Sequence, residues 1–307
     1  MIASRVADWI GLVEPVACES PSSWVSRAAL SQGVSLRELM AHIGWDFTTD
    51  IDREFGQHYI DGFSAEDVHM RGFEIARRLM SGFARSGCNP QRFLLSGVTR
   101  HRRHGIYRFC PLCLRDFSVP HIPQHWRFTA WRCCPAHGCM MEDRCMSCRA
   151  PLRLPLGFLS VSARRLGVHD VGRCYCCGLA LATIQPVSLE AAAADGRLTD
   201  HDFLLLDHGR ALIASLFHGE LGILPGGIRQ PLTELRLLDE CALLPNANNP
   251  PRASALRALA LSRSRRAELA IKRYESLAAL IAGARAPDIQ TLDSCGRECQ
   301  TELATLP

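Results

Sequence analysis

Lysine is almost absent from this chain. Of 35 basic side chains, Lys272 is the single lysine and the rest are arginine. Much of that bias fits a GC-rich coding sequence. Its consequence is chemical all the same, because arginine makes bidentate contacts to phosphates and guanine edges. A second absence is any uninterrupted apolar run of about 18 residues, so no transmembrane helix is expected. The opening MIASRVADWIGLVEP has no basic start followed by a long apolar stretch, so no signal peptide is expected, nor any membrane partner. Several catalytic signatures are also missing: H-E-x-x-H, G-x-S-x-G, a Walker A loop and a dinucleotide-binding fingerprint. His218-Gly219-Glu220 has the look of a deaminase H-x-E, but no P-C-x-x-C follows it. The expectation is a non-enzymatic, cytosolic protein. No repeat of solenoid period appears.

What is present is cysteine, 15 in 307 residues. In a reducing compartment this number argues for metal ligation over a disulfide framework. Charge is segregated beneath a net value of +4. Residues 1–70 sum to −7, residues 71–185 to +13 and residues 186–307 to −2. Ten of the cysteines fall within residues 107–180 of the same basic middle segment.

The hydrophobic pattern predicts an α+β chain that is mainly helical. A helix-turn-helix-like unit is expected over 19–43, capped by one of Ser20, Ser22 or Ser23, broken at Gly33 and restarted by the capping box Ser35–Glu38. The commoner origin of such a pattern is an ordinary helical hairpin. Another helix is expected over 64–87, with Ile75, Leu79 and Phe83 on one stripe. A short helix should open at Asn89-Pro90 and run to Leu95. The run TRHRRHGIYR then reads as a basic linker. Short strands and knuckles are expected over 107–180, and helices near 188–195, 199–218, 231–243 and 252–284. The implied division is 1–106 (N-terminal helical domain), 107–185 (tandem zinc module or ribbon), 186–287 (C-terminal helical domain) and 288–307 (flexible tail).

Four ligand pairs share one spacing: Cys110-x2-Cys113, Cys134-x2-His137, Cys145-x2-Cys148 and Cys174-x2-Cys177. A two-residue spacer lets one turn deliver two donors to one ion, and zinc takes four such donors. Four pairs make two structural Zn2+ sites, joined sequentially or interleaved. Both would be closed, which disfavours a catalytic role. In WRCCPAHG, Cys134 is preferred to Cys133 because Pro135 then sits at the turn position that Pro111 occupies after Cys110. Cys133 is assigned to the core on the face of Trp131. By the same test Cys177 is preferred to Cys176, and Cys139 is assigned to the core. His121 and His125 lack partners at ligand spacing.

Two stretches bear a resemblance. E-S-P-S-S-W-V-S-R-A-A is similar to the N-terminal signature of the TniQ/TnsD proteins, with Glu19, Ser20, Ser23, Trp24 and Arg27 in place. Cys18 stands where an acid is usual and Pro21 where leucine is usual. C-P-L-C-L, H-W-R-F-T-A-W, C-P-A-H-G and R-C-M-S-C resemble that family's zinc core, with Cys134 at the ligand position. The chain's length is closer to the compact TniQ type. The resemblance implies a transposition target-selection adaptor without strand-transfer chemistry. Such a protein binds DNA or a DNA-bound complex, recruits an AAA+ regulator and acts on the transposase indirectly. Homodimers are implied by members from guide-RNA systems. The expected DNA contacts are Arg100, Arg102, Arg103, Arg108, Arg115, Arg127 and Arg132. The competing expectations are a zinc-ribbon, helix-turn-helix transcriptional regulator and a purely protein-binding scaffold.

Overall fold

The computed structural model describes residues 11–43, 50–54, 72–99, 102–134 and 136–196, and after these 198, 212–213, 215–222, 229–233, 235–236 and 239. The expected helix over 252–284, the tail and Arg100 lie outside the described residues.

Helix α1 (Pro21–Ser31) starts where the sequence offers a cap. Ser20 is extended, its hydroxyl accepts the Ser23 amide at 3.2 Å, and Pro21 takes the first turn, where no amide is needed. Gly33, at φ 65°, ends it in the left-handed region, where a side chain would be strained. The capping box then forms as expected, with Ser35 and Glu38 each bonding the other's backbone amide, at 3.2 and 2.8 Å. It opens α2 (Leu36–Ile43). A single turn, α3 (Ile51–Glu54), completes a small core of Trp24, Val25, Ala28, Leu39, Met40, Ile51 and Phe73.

Helix α4 (Glu74–Ser86) carries the expected stripe, with Ile75, Leu79 and Phe83 buried. It belongs to a second, larger core that runs from Ile75 to Leu235 and contains both cysteine-rich regions. At Gly82 an added Cβ would lie 2.5 Å from the Leu216 carbonyl oxygen, so the helical segment at 215–218 approaches α4 as closely as backbone allows. Arg78 covers the Phe217 ring at 4.9 Å.

Three expectations change here. The stretch after Asn89-Pro90 is only a 3-10 turn, Pro90–Arg92. The basic run is not a linker. It is an antiparallel hairpin of β1 (Ser96–Thr99) and β2 (Arg102–Tyr107), extended by β5 (Leu152–Leu154) into a three-stranded sheet. Residues 229–231, read in part as the start of a helix, are β7 (Arg229–Pro231), paired with β6 (Glu220–Gly222). The hairpin was hidden because charge dominated its composition, while its pairing partner is supplied by residues about 50 positions later.

The cysteine-rich region is assembled from short pieces: α5 (Pro111–Asp116), a 3-10 turn at Gln124–Arg127, the two-residue strands β3 (Cys133–Cys134) and β4 (Cys139–Met140), and α6 (Val161–Arg165). Helix α7 (Leu189–Ala194) follows, capped by Ser188. The architecture is thus mixed helix and small sheets. Among the described residues no helix is long and apolar enough to cross a membrane.

Candidate metal centres and the motif that clamps them

Two groups of donors converge. Cys110, Cys113, Cys134 and His137 form the first, and Cys145, Cys148, Cys174 and Cys177 the second, with the ligand atoms of each group within 4.8 Å of one another. The arrangement is sequential. Around a zinc with Zn–S near 2.3 Å and Zn–N near 2.0–2.1 Å, tetrahedral geometry puts sulfur atoms about 3.8 Å apart and sulfur and nitrogen about 3.6 Å apart. The separations match this polyhedron. Cys113 Sγ lies 3.5 Å from Cys134 Sγ, and His137 Nδ1 lies 3.6, 3.3 and 3.5 Å from the sulfurs of Cys110, Cys113 and Cys134. In the second group the Cys145–Cys177 and Cys148–Cys174 pairs stand at 3.6 and 3.5 Å.

Local backbone explains the delivery. Cys110 is the N-cap of α5, Pro111 takes its first turn, and the Cys113 amide points at Cys110 Sγ at 3.5 Å. In the second group, the Gly178 amide returns to the Cys174 carbonyl at 2.8 Å, with Gly178 at φ 77°. A Cβ there would sit 2.4 Å from the Leu166 carbonyl oxygen, so glycine is required. The matching position of the other knuckle is Arg149, whose amide returns to Cys145 at 2.9 Å and whose φ is 62°.

The thiols compete for charge. Hydrogen bonds from Cys113 and Cys134 pull Cys110 down to about 2, and the hydrogen bond to Cys110 pushes Cys113 far above its ordinary value. In the second group burial pushes Cys174 and Cys145 up, while the Leu179 amide draws Cys177 down to about 7. One thiolate suppresses ionisation of its neighbours, so each group holds its full negative charge only around a cation. Donor type, spacing and electrostatics all fit zinc.

Two features of this region escaped the sequence reading. His137 donates from Nε2 to Asp116 Oδ2 at 2.9 Å, which fixes the tautomer that leaves Nδ1 for the metal. Asp116 stands one helical turn after Cys113 on α5, and that spacing was the available signal. Cys139 is buried with its sulfur 3.7 Å from Cys110 Sγ. Cys133 is buried, as expected, but not beside Trp131. It packs with Ala192 and Leu198, while Trp131 and Cys134 belong to the main core. The alternation fails because the chain turns at Trp131, whose amide bonds the Phe128 carbonyl, and becomes extended only at Cys133. Cys176 is exposed and stays outside the second group.

The N-terminal motif proves to be a clamp. Glu19, fully buried, accepts from the Val16 amide, the Ser23 hydroxyl and both Nε and Nη2 of Arg27, at 2.7–3.0 Å. The Ser23 oxygen in turn accepts the Ile122 amide at 3.0 Å, and the Ser20 amide bonds the Ile122 carbonyl at 2.9 Å. Trp24 donates to the Val13 carbonyl and meets Phe73 edge-on at 5.4 Å. Ser26 accepts the Leu156 amide at 2.8 Å. The motif residues therefore hold α1 against the loop between the two ligand pairs of the first group.

The arginines expected at DNA divide. Arg127 is buried and not available to a phosphate. Its guanidinium pairs with Asp50, with one Nη1 bond of 2.6 Å, and reaches Asp52 at 3.4 Å. Asp52 also accepts from Ser22 and Tyr107. Burial raises both carboxyls, but the Arg127 charge brings Asp50 below its ordinary value, whereas Asp52 stays above it. Arg108 is likewise taken, donating from Nη1 to the carbonyls of Phe128, Thr129 and Trp131. Arg115 is exposed and donates to the Ala182 carbonyl, and Arg132 is half-buried. Arg102 and Arg103 lie on β2. Asp50 and Asp52 were missed because their partner is more than 70 residues away.

Residues 12–141 match the family model described as TniQ. The chain matches none of the curated proteins.

Proposed function

From this TniQ-family chain, whose match spans residues 12–141, we propose a target-selection adaptor for transposition that binds DNA or a DNA-bound complex, recruits an AAA+ regulator and so guides the transposase indirectly. The family suggests target selection in transposition, and the two donor groups suggest zinc. The observation that carries the finer reading is the clamp: the family's motif residues Glu19, Ser23 and Arg27 are spent on docking α1 to the loop that the first metal group closes. They are architectural, and what they build is a rigid surface. When bound, zinc supplies cross-linking and charge neutralisation. The chain's own residues supply the rest: Asp116 orients His137, Pro111 and Gly178 shape the knuckles, and the Arg127–Asp50–Asp52 network locks α3 to the same loop.

A pull-down of the AAA+ regulator and a DNA filter-binding assay, each with and without chelator, test this. The expected result is capture of both by the metal-loaded chain and loss of both on chelation. Failure of the metal-loaded chain to capture the regulator overturns the adaptor reading, whether or not DNA is bound at low salt.

A further inference from the structure

We infer that the second metal knuckle pair is the nucleic-acid face, with Arg149, Arg153, Arg144 and Arg173 gripping consecutive backbone phosphates and Arg164 and Arg165 extending the track. The inference deepens the adaptor reading and rests on it for the identity of the partner.

Placement comes first. Arg144 and Arg149 bracket the Cys145–Cys148 pair, and Arg173 immediately precedes Cys174. Because the four sulfurs lie within 4.8 Å of one another, these arginines are anchored around one point. Arg153 is the exposed middle residue of β5, between buried Leu152 and Leu154, and shares the lining of one cavity with Tyr175 and Cys176 of the other knuckle. Helix α6 ends against the same knuckle, where the Leu166 carbonyl meets Gly178. Arg164 and Arg165 on it are exposed.

Charge comes second. Residues 144–180 contain six arginines and one acid, Asp170. A zinc bound by four thiolates has a net charge of −2, so a surplus of about three positive charges remains after the centre is neutralised. Arg144 is oriented by its bond to the Arg149 carbonyl, at 3.2 Å, and Arg173 by its bond to the Gly178 carbonyl, at 3.2 Å. The Arg144 contact is to a carbonyl and leaves its charge uncompensated, whereas Arg173 also lies 4.0 Å from the Asp170 carboxylate, the one acid of the segment already counted. The first metal group differs in degree: Arg127 and Arg108 there are taken up in protein contacts, and Arg115 is the exposed arginine beside its ligands.

Backbone comes third. Arg149 occupies the left-handed position at which the sister knuckle requires glycine. An L-residue there is disfavoured, and an arginine kept at such a point has a use for its side chain. Phosphate contact is the chemistry a surplus of exposed arginine around a rigid centre fits. It specifies position along the duplex without reading base sequence.

The test uses the full zinc-loaded chain and a random-sequence 30-base-pair duplex, with binding followed by fluorescence anisotropy across a salt series. Arg149→Gly should lower the slope of log affinity against log salt by about 0.9, the value for one lost phosphate contact, while leaving the melting temperature unchanged or raised. Arg149→Gly, Arg153→Ala and Arg164→Ala together should lower the slope by about 2–3. Arg78→Ala, on the distant α4, should leave it unaltered. Native mass spectrometry confirms that each variant keeps both metals. An unchanged slope in the triple variant overturns this face while leaving the adaptor reading standing. Absence of salt-dependent binding by the parent chain overturns it as well. Loss of regulator capture alone overturns the adaptor reading and leaves the face intact.

Discussion

Replacing Arg127 with methionine separates an architectural arginine from a DNA-binding one. The side chain is about 1% exposed and faces two carboxylates, Asp50 and Asp52, that are 4% and 0% exposed. Methionine fills much of the volume but leaves those charges without a cation. Breaking a buried pair in this way costs about 3–5 kcal/mol. At about 2–4 °C per kcal/mol for a folded unit of 150–250 residues, the melting temperature should fall by about 10 °C. The sign of its pH dependence follows. Without Arg127, burial raises both carboxyls, so the folded variant binds more protons than the unfolded chain near neutrality. Its stability therefore declines as pH rises, and the deficit relative to the parent should be larger at pH 7.5 than at pH 5. Thermal melts at the two pH values by circular dichroism measure this. A variant that melts with the parent while losing DNA affinity would refute the argument and return Arg127 to the DNA surface.

Further outcomes follow from the same structure. Cys134→Ser should lose one of two zincs in native mass spectrometry and destabilise the clamp, whereas Cys133→Ser, which touches Ala192 and Leu198, should retain both. Asp116→Ala should weaken the first metal site by about 10–100-fold in a chelator competition, because His137 loses the partner that orients it. Gly82→Ala forces a Cβ onto the Leu216 carbonyl, so limited proteolysis should cut the segment around 215–218 faster than in the parent. Burial pushes His125 down to about 4. Its contribution is present above the unfolded value near 6.5 and is lost as pH falls towards 4, so the parent should lose about 1–2 kcal/mol more than His125→Phe between pH 7 and 5.

The sequence was most informative where chemistry is local. The C-x2-C and C-x2-H spacings are properties of four consecutive residues, and they identified all eight clustered donors. The Ser20 cap, the Ser35–Glu38 box and the stripe Ile75, Leu79, Phe83 are local in the same sense. What could not be read depends on pairing at a distance. Arg127 looks like any exposed arginine until Asp50 is brought to it. The run from Thr99 to Arg108 looks like a linker until β5 supplies a strand edge. Cys133 was assigned to the right environment type but to the wrong neighbours, because a turn at Trp131 breaks the alternation used to place it.

The contact between Ser23 and Ile122 spans 99 residues, and that between Ser26 and Leu156 spans 130. Helix α1 is therefore synthesised well before the two loops that Ser23 and Ser26 bond. At about 5–20 residues per second, its partners reach the ribosome surface about 5–25 seconds later. During that interval Trp24, Val25 and Ala28 can be covered by α2, α3 and Phe73, while the hydroxyls of Ser23 and Ser26 still lack the Ile122 and Leu156 amides. The small N-terminal core can thus assemble first, and the arrival of the first metal-binding loop is the event that fixes it to the rest of the chain.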